Sequence, residues 1–164
     1  MKEINIKDLL INPFVKIGTD AMLITAGDIE HFNTMTASWG FVGVMWNRNV
    51  INAVIRPNRY TYEFLEKNEY FTASFFPADC KKILTFCGTH SGRDTDKIKE
   101  TGLTPEKCGD SVTFGQADMT FLCKKLYTKE MDINAMDDSV KGTYEKDPVH
   151  TEFIAEIVKV FVKE

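Results

Sequence analysis

The sequence predicts a single, mostly β domain: a small closed or nearly closed antiparallel barrel with helices inserted near its middle. About seven short segments have the alternating or β-branched composition of strands. The helical segments lie together in the middle of the chain and do not alternate with strands, which disfavours a doubly wound parallel sheet. The 164 residues contain no repeat, no low-complexity tract and no linker, so we expect one domain over 1–164.

Composition and charge exclude several classes of protein. An apolar fraction of 43% and a charged fraction of 27% are ordinary for a soluble globular protein. The net charge of −4 argues against a nucleic-acid partner, for which a basic face is expected. No apolar run approaches the roughly 20 residues of a membrane span, and the N-terminus lacks the apolar region of a signal peptide. We therefore expect a cytoplasmic protein with no membrane association.

The four cysteines give no support for a metal centre. They form no Cys-x-x-Cys pair, and no histidine stands at ligand spacing from them. Helix spacing predicts burial of the first two cysteines on a face made of Cys80, Ile83, Leu84 and Cys87. Cys108 and Cys123 fit packing more simply than a redox role. Without a secretory signal, reduced thiols are expected.

In the first third of the chain, glycine, proline and side-chain alternation mark the element boundaries. A glycine inside a strand pattern predicts a bulge or a close approach, and a proline cannot donate to a ladder. The predicted elements are a weak helix or extended stretch over 4–12 stopping near Pro13, a strand over Met22–Ala26 before a Gly27-Asp28 turn, an extended run over Phe32–Trp46 interrupted by Gly40 and Gly43, a turn at Asn47-Arg48-Asn49, and a strand over Val50–Arg56 ended by Pro57.

The middle of the chain combines helix signals with one strand. Ser, Thr and Asp favour helix starts, and glycine favours helix ends. The predicted elements are a helix over Thr61–Lys67 capped by Thr61, a strand over Tyr70–Phe76, a helix over Cys80–Cys87 with Asp79 as its N-cap and Gly88 as its stop, a loop over Thr89–Arg93, and a short helix near Asp94–Thr101 closed by Gly102 and Leu103.

The last third is rich in strands. A clean alternation begins at Ala117, and its phase slips around Gly115-Gln116, which predicts a bulge or corner there. Lys141–Pro148 has the composition of a turn region. The closing strand, Phe153–Val162, is apolar on both faces, so one face is expected in the barrel core and the other against a helix or a second subunit.

No common catalytic or nucleotide-binding motif is present. The chain has no G-x-G-x-x-G, Walker loop, G-x-S-x-G or H-E-x-x-H, and its three histidines stand far apart. Three polar clusters remain, over Phe32–Trp39, Arg56–Thr61 and Ser91–Lys97. They offer hydroxyls, backbone N–H groups and cations at strand ends and loops. Guanidinium and ammonium groups of this kind bind phosphate through charge-assisted hydrogen bonds.

Taken singly, each of these residues also has a plain structural explanation. Arg56 fits a solvated strand end, Ser91-Gly92 a turn, Lys97 a solvated helix face and Trp39 the core. Their joint presence in one barrel-like chain favours a ligand that carries a phosphate.

The same segments resemble the flavin reductase-like family of FMN-binding split barrels, and the likeness extends over most of the chain. It is carried by Asn33-Thr34-Met35-Thr36-Ala37-Ser38-Trp39, by Ile55-Arg56-Pro57-Asn58-Arg59-Tyr60-Thr61 and by Ser91-Gly92-Arg93-Asp94-x-Asp96-Lys97. The resemblance implies a mostly β, Greek-key-like antiparallel split barrel with inserted helices. It also implies a homodimer with FMN in a groove near the subunit interface.

The resemblance further implies roles for individual residues. Thr36 to Trp39 would run along the edge of the flavin ring, and Ser38 would also reach the ribityl chain or phosphate. The phosphate contacts would be Arg56, Ser91 and Lys97, with Arg59 and Arg93 as weaker candidates. The full set of residues expected around the cofactor is Asn33, Met35, Thr36, Ala37, Ser38, Trp39, Arg56, Arg59, Tyr60, Thr61, Ser91, Gly92, Arg93 and Lys97.

His150 stands where the family often has Gly-Asp-His, but here the sequence reads Pro148-Val149-His150. A role near the ring and a buried structural role are both open for it. Apart from His150, no catalytic side chain is expected, because the flavin carries its own redox chemistry.

Two functions follow from the resemblance. The first is an NAD(P)H-dependent flavin reductase, with NADH or NADPH delivering hydride to flavin N5. The second is a flavoredoxin-like carrier that exchanges electrons with a partner protein. A non-redox barrel for another phosphorylated ligand is a third reading of the residues alone.

Overall fold

The computed structural model describes residues 1–164 and contains ten strands and four α-helices. The strands are β1 (Lys2–Ile4), β2 (Met22–Gly27), β3 (Phe32–Ala37), β4 (Gly40–Met45), β5 (Arg48–Ile55), β6 (Tyr70–Phe75), β7 (Pro105–Cys108), β8 (Ser111–Phe114), β9 (Met119–Glu130) and β10 (Thr151–Val162). The helices are α1 (Tyr60–Lys67), α2 (Lys81–Thr89), α3 (Lys97–Thr101) and α4 (Asp138–Lys141).

One antiparallel sheet forms the barrel, with strand order β3-β2-β6-β9-β10-β5-β4 and β1 added beside β10. Strands β3 and β4 lie at opposite ends of this order, yet only Ser38 and Trp39 join them in the chain. The sheet must therefore curl until its two ends meet at these residues. No hydrogen-bonded register joins β3 to β5, so the barrel stays split along a seam between them.

Alternating apolar residues fill the barrel. The core cluster includes Ile24, Ile51, Phe71, Phe121 and Phe153, each fully buried. A smaller cluster packs α2 and the β7–β8 hairpin against the outside of the sheet, and both Cys80 and Cys87 belong to it. The predicted mostly antiparallel barrel with helices in the middle is confirmed. The count of about seven strands was too low, because β1 was not predicted, the extended run over 32–46 is two strands, and β7 and β8 form a separate hairpin before β9.

Several predicted boundaries were wrong near the start of the chain. The stretch before Pro13 is mostly irregular, and a π-helical segment, Phe14–Thr19, follows the proline because its ring suits a helix start. The predicted turn at Asn47-Arg48-Asn49 lies at Trp46-Asn47. Both turn residues have positive φ, +52° and +56°, as a two-residue hairpin turn requires. Gly43 lies inside β4 without a bulge.

The helix caps also differ from the predictions. Thr61 lies inside α1 and is buried, and Arg59 precedes the helix without a side-chain cap. Asp79 lies in a 3₁₀ turn, Ala78–Cys80, that runs into α2. Gly88 is inside α2, which continues to Thr89. Gly102 does end α3, with φ +68°, and Leu103 beside it is buried.

The closing strand shows why its pattern looked apolar on both faces. A register shift between Ile157 and Lys159 changes its phase against β9, so Ile157 and Val160 both reach the core. Val158 lies outside and is exposed in the single chain. The predicted corner at Gly115-Gln116 is the turn between β8 and β9. None of the helices is both long and apolar enough to span a membrane.

Candidate functional site

A groove follows the seam between β3 and β5. Its first cavity, about 280 Å³, is lined by the end of β3, the end of β5 and the start of β10. Five of the predicted residues, consecutive in the chain, lie on one wall. The lining consists of Met35, Thr36, Ala37, Ser38, Trp39, Val54, Arg56, Arg59, Gly88 and His150.

A second cavity, about 140 Å³, continues the groove toward the loop after α2. It shares Met35, Arg59 and Gly88 with the first cavity, so the two cavities are contiguous. Its lining includes the predicted residues Asn33, Tyr60, Thr61, Ser91, Gly92 and Lys97. All the predicted residues except Arg93 therefore line one of two adjoining cavities, although they come from three separate segments of the chain.

The edge of β3 that faces the seam carries backbone groups that do not pair with β2. Asp28 and His31 exchange both backbone hydrogen bonds, 3.2 Å each, at the turn between β2 and β3. Bonded and non-bonded positions alternate along an antiparallel pair, so Thr34 and Thr36 turn their backbone groups away from β2. The Thr34 carbonyl oxygen is taken by Lys97, whereas the backbone groups of Thr36 lie in the first cavity, where a planar polar ring can accept or donate hydrogen bonds.

Lys97 fixes that edge from the other side. It is only 6% exposed, and its Nζ donates to the carbonyl oxygens of Thr34 at 2.7 Å and Cys87 at 2.8 Å. The ammonium has three donors, so one remains for a ligand in the second cavity. Burial, more than any neighbouring charge, lowers the pKa of Lys97 below its usual value. The plain alternative of a solvated helix face therefore does not apply to this residue.

Asn33 and Gly92 hold the second cavity in shape. Asn33 donates from Nδ2 to Thr61 Oγ1 at 2.7 Å, so the hydroxyl that was expected to cap α1 instead ties that helix to β3. A Cβ on Gly92 would lie 2.1 Å from Asn33 Oδ1 and 3.1 Å from Tyr60 Cδ1. Only glycine fits between these two side chains, and the loop can therefore pass directly over the cavity.

Thr36 and Gly88 pack the groove floor. The Thr36 hydroxyl donates to the Leu84 carbonyl oxygen at 2.5 Å, so its side chain faces α2 and leaves its backbone for the seam. A Cβ on Gly88 would approach Thr36 Cβ to 3.2 Å, which is tight. Gly88 thus allows α2 to come close to β3, a role that the sequence pattern did not indicate.

Arg56 lies in the first cavity, not beside Ser91 and Lys97. Its Nη1 is 2.5 Å from Asp147 Oδ2, and its guanidinium lies 5.9 Å from the ring centroid of Tyr144. Its Nε is buried and has no hydrogen-bond partner. Sequence reasoning missed Tyr144 and Asp147, because both lie in the long β9–β10 connection, where neither periodicity nor a motif marks them.

His150 and Trp39 meet at the mouth of the first cavity. Their ring centroids are 5.1 Å apart, and His150 Nδ1 is 3.0 Å from the Tyr144 hydroxyl. Burial first, and then the charges of Arg56 and Arg59, lower the pKa of His150 to about 4. The imidazole is therefore neutral at physiological pH. Trp39 is 50% exposed, so it lies at the opening of the cavity rather than in the core.

Arg93 is the predicted residue that the structure separates from the groove. It forms an ion pair with Glu63, donates to the Asn58 carbonyl oxygen at 3.2 Å and lies over the Tyr60 ring at 4.9 Å. These contacts hold it on the outer side of Tyr60. Arg93 therefore joins the 91–97 loop to α1 and lines neither cavity.

No group of three or more His, Cys, Asp and Glu side chains is placed to hold a metal ion. All four cysteines are buried free thiols. Burial raises the pKa of Cys108 to about 11 and also raises that of Cys123. The predicted burial of Cys80 and Cys87 is confirmed, and Cys108 and Cys123 also pack in the interior. Raised pKa values disfavour the thiolate, which is the reactive form.

Comparison with known proteins agrees with this geometry. The family model described as "Flavin reductase like domain" matches residues 14–164. A search of curated proteins finds no match.

Solved structures share the whole fold at low identity. Flavoredoxin of Desulfovibrio vulgaris (Miyazaki F) is 23% identical with a TM-score of 0.71, covering 100% of this chain and 78% of its own. An FMN-binding protein from Thermus thermophilus with bound 1-cyclohex-2-enone is 20% identical with a TM-score of 0.70, at 99% and 80% coverage. Flavoredoxin from Methanosarcina acetivorans is 18% identical with a TM-score of 0.71, at 96% and 76% coverage. These likenesses identify the split-barrel fold.

Proposed function

The chain belongs to the flavin reductase-like family, and from that premise we propose that it binds FMN and acts as an NAD(P)H-dependent flavin reductase. One observation carries the proposal. On the open edge of β3, the backbone of Thr36 faces the first cavity. A second cavity, lined by Lys97 and Ser91, adjoins the first. A planar polar ring with a phosphate tail matches this pair of cavities.

The phosphate end fits the second cavity. Lys97 keeps one free N–H donor there, Arg59 lines both cavities, and Ser91 stands with Gly92 in the loop over the opening. Ammonium, guanidinium and hydroxyl donors together suit a dianionic group. Because Arg56 lines only the first cavity, we assign the phosphate to Arg59, Ser91 and Lys97.

The ring fits the first cavity, against the segment from Thr36 to Trp39. The backbone of Thr36 can meet the polar edge of the ring, and Trp39 at the mouth can shield one ring face from water. Arg56 and Arg59 both line this cavity, and after burial their charges contribute to the lowered pKa of His150. Such charge would stabilise the negative charge that a reduced flavin carries.

Bound FMN would supply the chemistry: its N5 atom would accept a hydride, which is two electrons with one proton, from the nicotinamide. The residues of this chain would hold the phosphate, orient the ring and limit water at its face. His150, neutral and tied by Nδ1 to Tyr144, would serve as a hydrogen-bond partner near the ring. Hydride transfer to a flavin itself requires no side-chain acid or base.

A second candidate is a flavoredoxin-like electron carrier that exchanges electrons with a partner protein and does not use nicotinamide directly. Two of the matched structures, from Desulfovibrio vulgaris and Methanosarcina acetivorans, are flavoredoxins, which favours this candidate. The half-exposed Trp39 at the groove mouth is compatible with contact by another protein.

Stopped-flow absorbance separates the candidates. The purified protein is first titrated with FMN, and its flavin band is then followed after mixing with NADH or NADPH in the absence of oxygen. Fast bleaching supports the reductase. Bleaching by dithionite or a protein donor alone supports the carrier. A chain that takes up no FMN would favour a barrel for another phosphorylated ligand.

We also propose that the protein is a homodimer. The β4–β5 hairpin exposes large apolar side chains that a lone soluble chain rarely gathers in one place: Phe41, Val44, Met45 and Trp46. In addition, the side-chain oxygen of Asn52, opposite Phe41 in the register, is buried without a partner. Light scattering after gel filtration tests this, and Val44→Glu is expected to shift a dimer to monomer.

A further inference from the structure

Arg56 stands in the first cavity but is held by a residue of the β9–β10 connection, residues 131–150. Asp147 in that connection forms an ion pair with Arg56 at 2.5 Å, and Tyr144 lies beneath its guanidinium. The Tyr144 hydroxyl in turn forms a hydrogen bond with His150 Nδ1 at 3.0 Å. The β9–β10 connection therefore contacts the groove through Asp147 and Tyr144, and both of these residues lie against Arg56.

The guanidinium of Arg56 is largely buried, yet not all of its N–H donors have a hydrogen-bond partner. Its side chain is 13% exposed, and of its five N–H donors the Nε–H is buried without a partner. A buried donor left unpaired costs free energy, whereas an oxyanion can accept two parallel bonds from one guanidinium. Asp147 fills only part of what the group can bind.

We propose that Arg56 is an anion subsite for the second substrate, and that Asp147 occupies this subsite until the substrate arrives. The inference rests on the proposed reductase function, because the anion we assign is the pyrophosphate of the nicotinamide dinucleotide. The phosphate of FMN is a poorer occupant, since Lys97 and Ser91 line the other cavity.

Charge and exposure both allow the exchange. The charges of Arg56 and Arg59 act on His150 in one direction, and Asp147 acts on it in the other. Once Asp147 has moved away, the guanidinium groups of Arg56 and Arg59 remain in the cavity, and the Asp147 carboxylate no longer offsets their charge. The Asp147 side chain is 47% exposed, so it can return to water at small cost.

Calorimetric titration of inorganic pyrophosphate into the FMN-loaded protein tests the subsite directly. Asp147→Asn keeps the shape of the side chain and removes the competing charge, so we expect pyrophosphate to bind about tenfold more tightly. Arg56→Met is expected to abolish this binding, and Arg56→Lys to retain part of it. Glu156→Gln is the matched control, because it breaks an Arg48–carboxylate pair at the other end of β5.

The KM for NADH should follow the pyrophosphate affinity in each variant, while the Kd for FMN of Asp147→Asn and Glu156→Gln stays within about twofold of the parent. Equal pyrophosphate binding in Asp147→Asn and the parent would overturn the proposal, and so would binding that survives in Arg56→Met. A tenfold loss of FMN affinity in both Arg56 variants would assign the cation to the flavin phosphate instead. If pyrophosphate binding follows the expected pattern but neither NADH nor NADPH bleaches the flavin, the anion subsite stands and the reductase function fails.

Discussion

The ammonium group of Lys97 lies 2.7 Å from the carbonyl oxygen of Thr34, which is 63 residues earlier in the chain. The same Nζ lies 2.8 Å from the Cys87 carbonyl oxygen at the end of α2. One side chain thus joins the open strand edge, the helix behind it and the loop over the second cavity. Phosphate binding and the shape of the groove are therefore expected to depend on the same residue.

Lys97→Met should weaken FMN binding by about tenfold to a hundredfold, the effect of losing one charge-assisted hydrogen bond. The affinity of the parent should fall with added salt, and that of the variant should fall less, because one ionic contact is missing. Fluorescence titration of FMN at two salt concentrations measures both effects. Lys99→Met, an exposed neighbour in α3, is the control. Equal affinities in the parent and Lys97→Met would remove Lys97 from the site.

Gly92→Ala should weaken FMN binding by at least about tenfold, because the new methyl group would displace Asn33 and lift the loop from the cavity. Gly18→Ala adds the same methyl group where nothing lies within 4 Å, and it should leave binding unchanged. The comparison uses flavin fluorescence together with thermal unfolding of the apoprotein. If both variants bind FMN like the parent, the loop over 91–97 does not form part of the site.

Trp39 should report the bound ring through its own fluorescence. It lines the first cavity, whereas Trp46 lies at the tip of the β4–β5 hairpin. FMN should therefore quench most of the signal of Trp46→Phe, in which Trp39 is the remaining tryptophan. It should quench much less of the signal of Trp39→Phe. If FMN quenches Trp39→Phe more strongly than Trp46→Phe, the ring does not lie in the first cavity.

Acid should destabilise the protein through His150. Its pKa is lowered from 6.5 to about 4 in the folded chain, first by burial and then by Arg56 and Arg59. Between these values the unfolded chain binds more protons, so this part of the stability is complete above pH 6.5 and is lost as the pH falls toward 4.

His150→Gln removes that contribution. Between pH 7 and pH 4.5, the free energy of unfolding of the variant should fall by about 1–2 kcal/mol less than that of the parent. Urea unfolding at a series of pH values measures the difference. Parallel pH profiles for the two proteins would show that His150 keeps an ordinary pKa.

The sequence was sufficient for those parts of the fold and groove that depend on local signals. Alternation and β-branched residues marked most strands, and the αL glycine at Gly102 marked the end of α3. The three polar segments could be named because their residue types suit a phosphate. That Asn33, Tyr60 and Gly92 lie around one cavity is a consequence of the barrel, which brings distant segments to one seam.

What the sequence could not show depends on contacts between distant residues. Thr61 and Gly88 fit local cap rules, but the buried bond to Asn33 and the tight approach to Thr36 override those rules. Arg93 was grouped with Lys97 by sequence proximity, yet its pair with Glu63 turns it outward. Asp147 carries no motif, and only the fold places it against Arg56.

The central claim is that the two cavities bind a flavin ring together with its phosphate, and a paired titration with FMN and riboflavin tests it most directly. Riboflavin has the same ring without the phosphate. We predict one FMN per chain, with riboflavin binding at least about tenfold more weakly because it lacks the contacts to Lys97, Arg59 and Ser91. Failure to bind FMN, or equal affinity for the two flavins, would contradict the assignment.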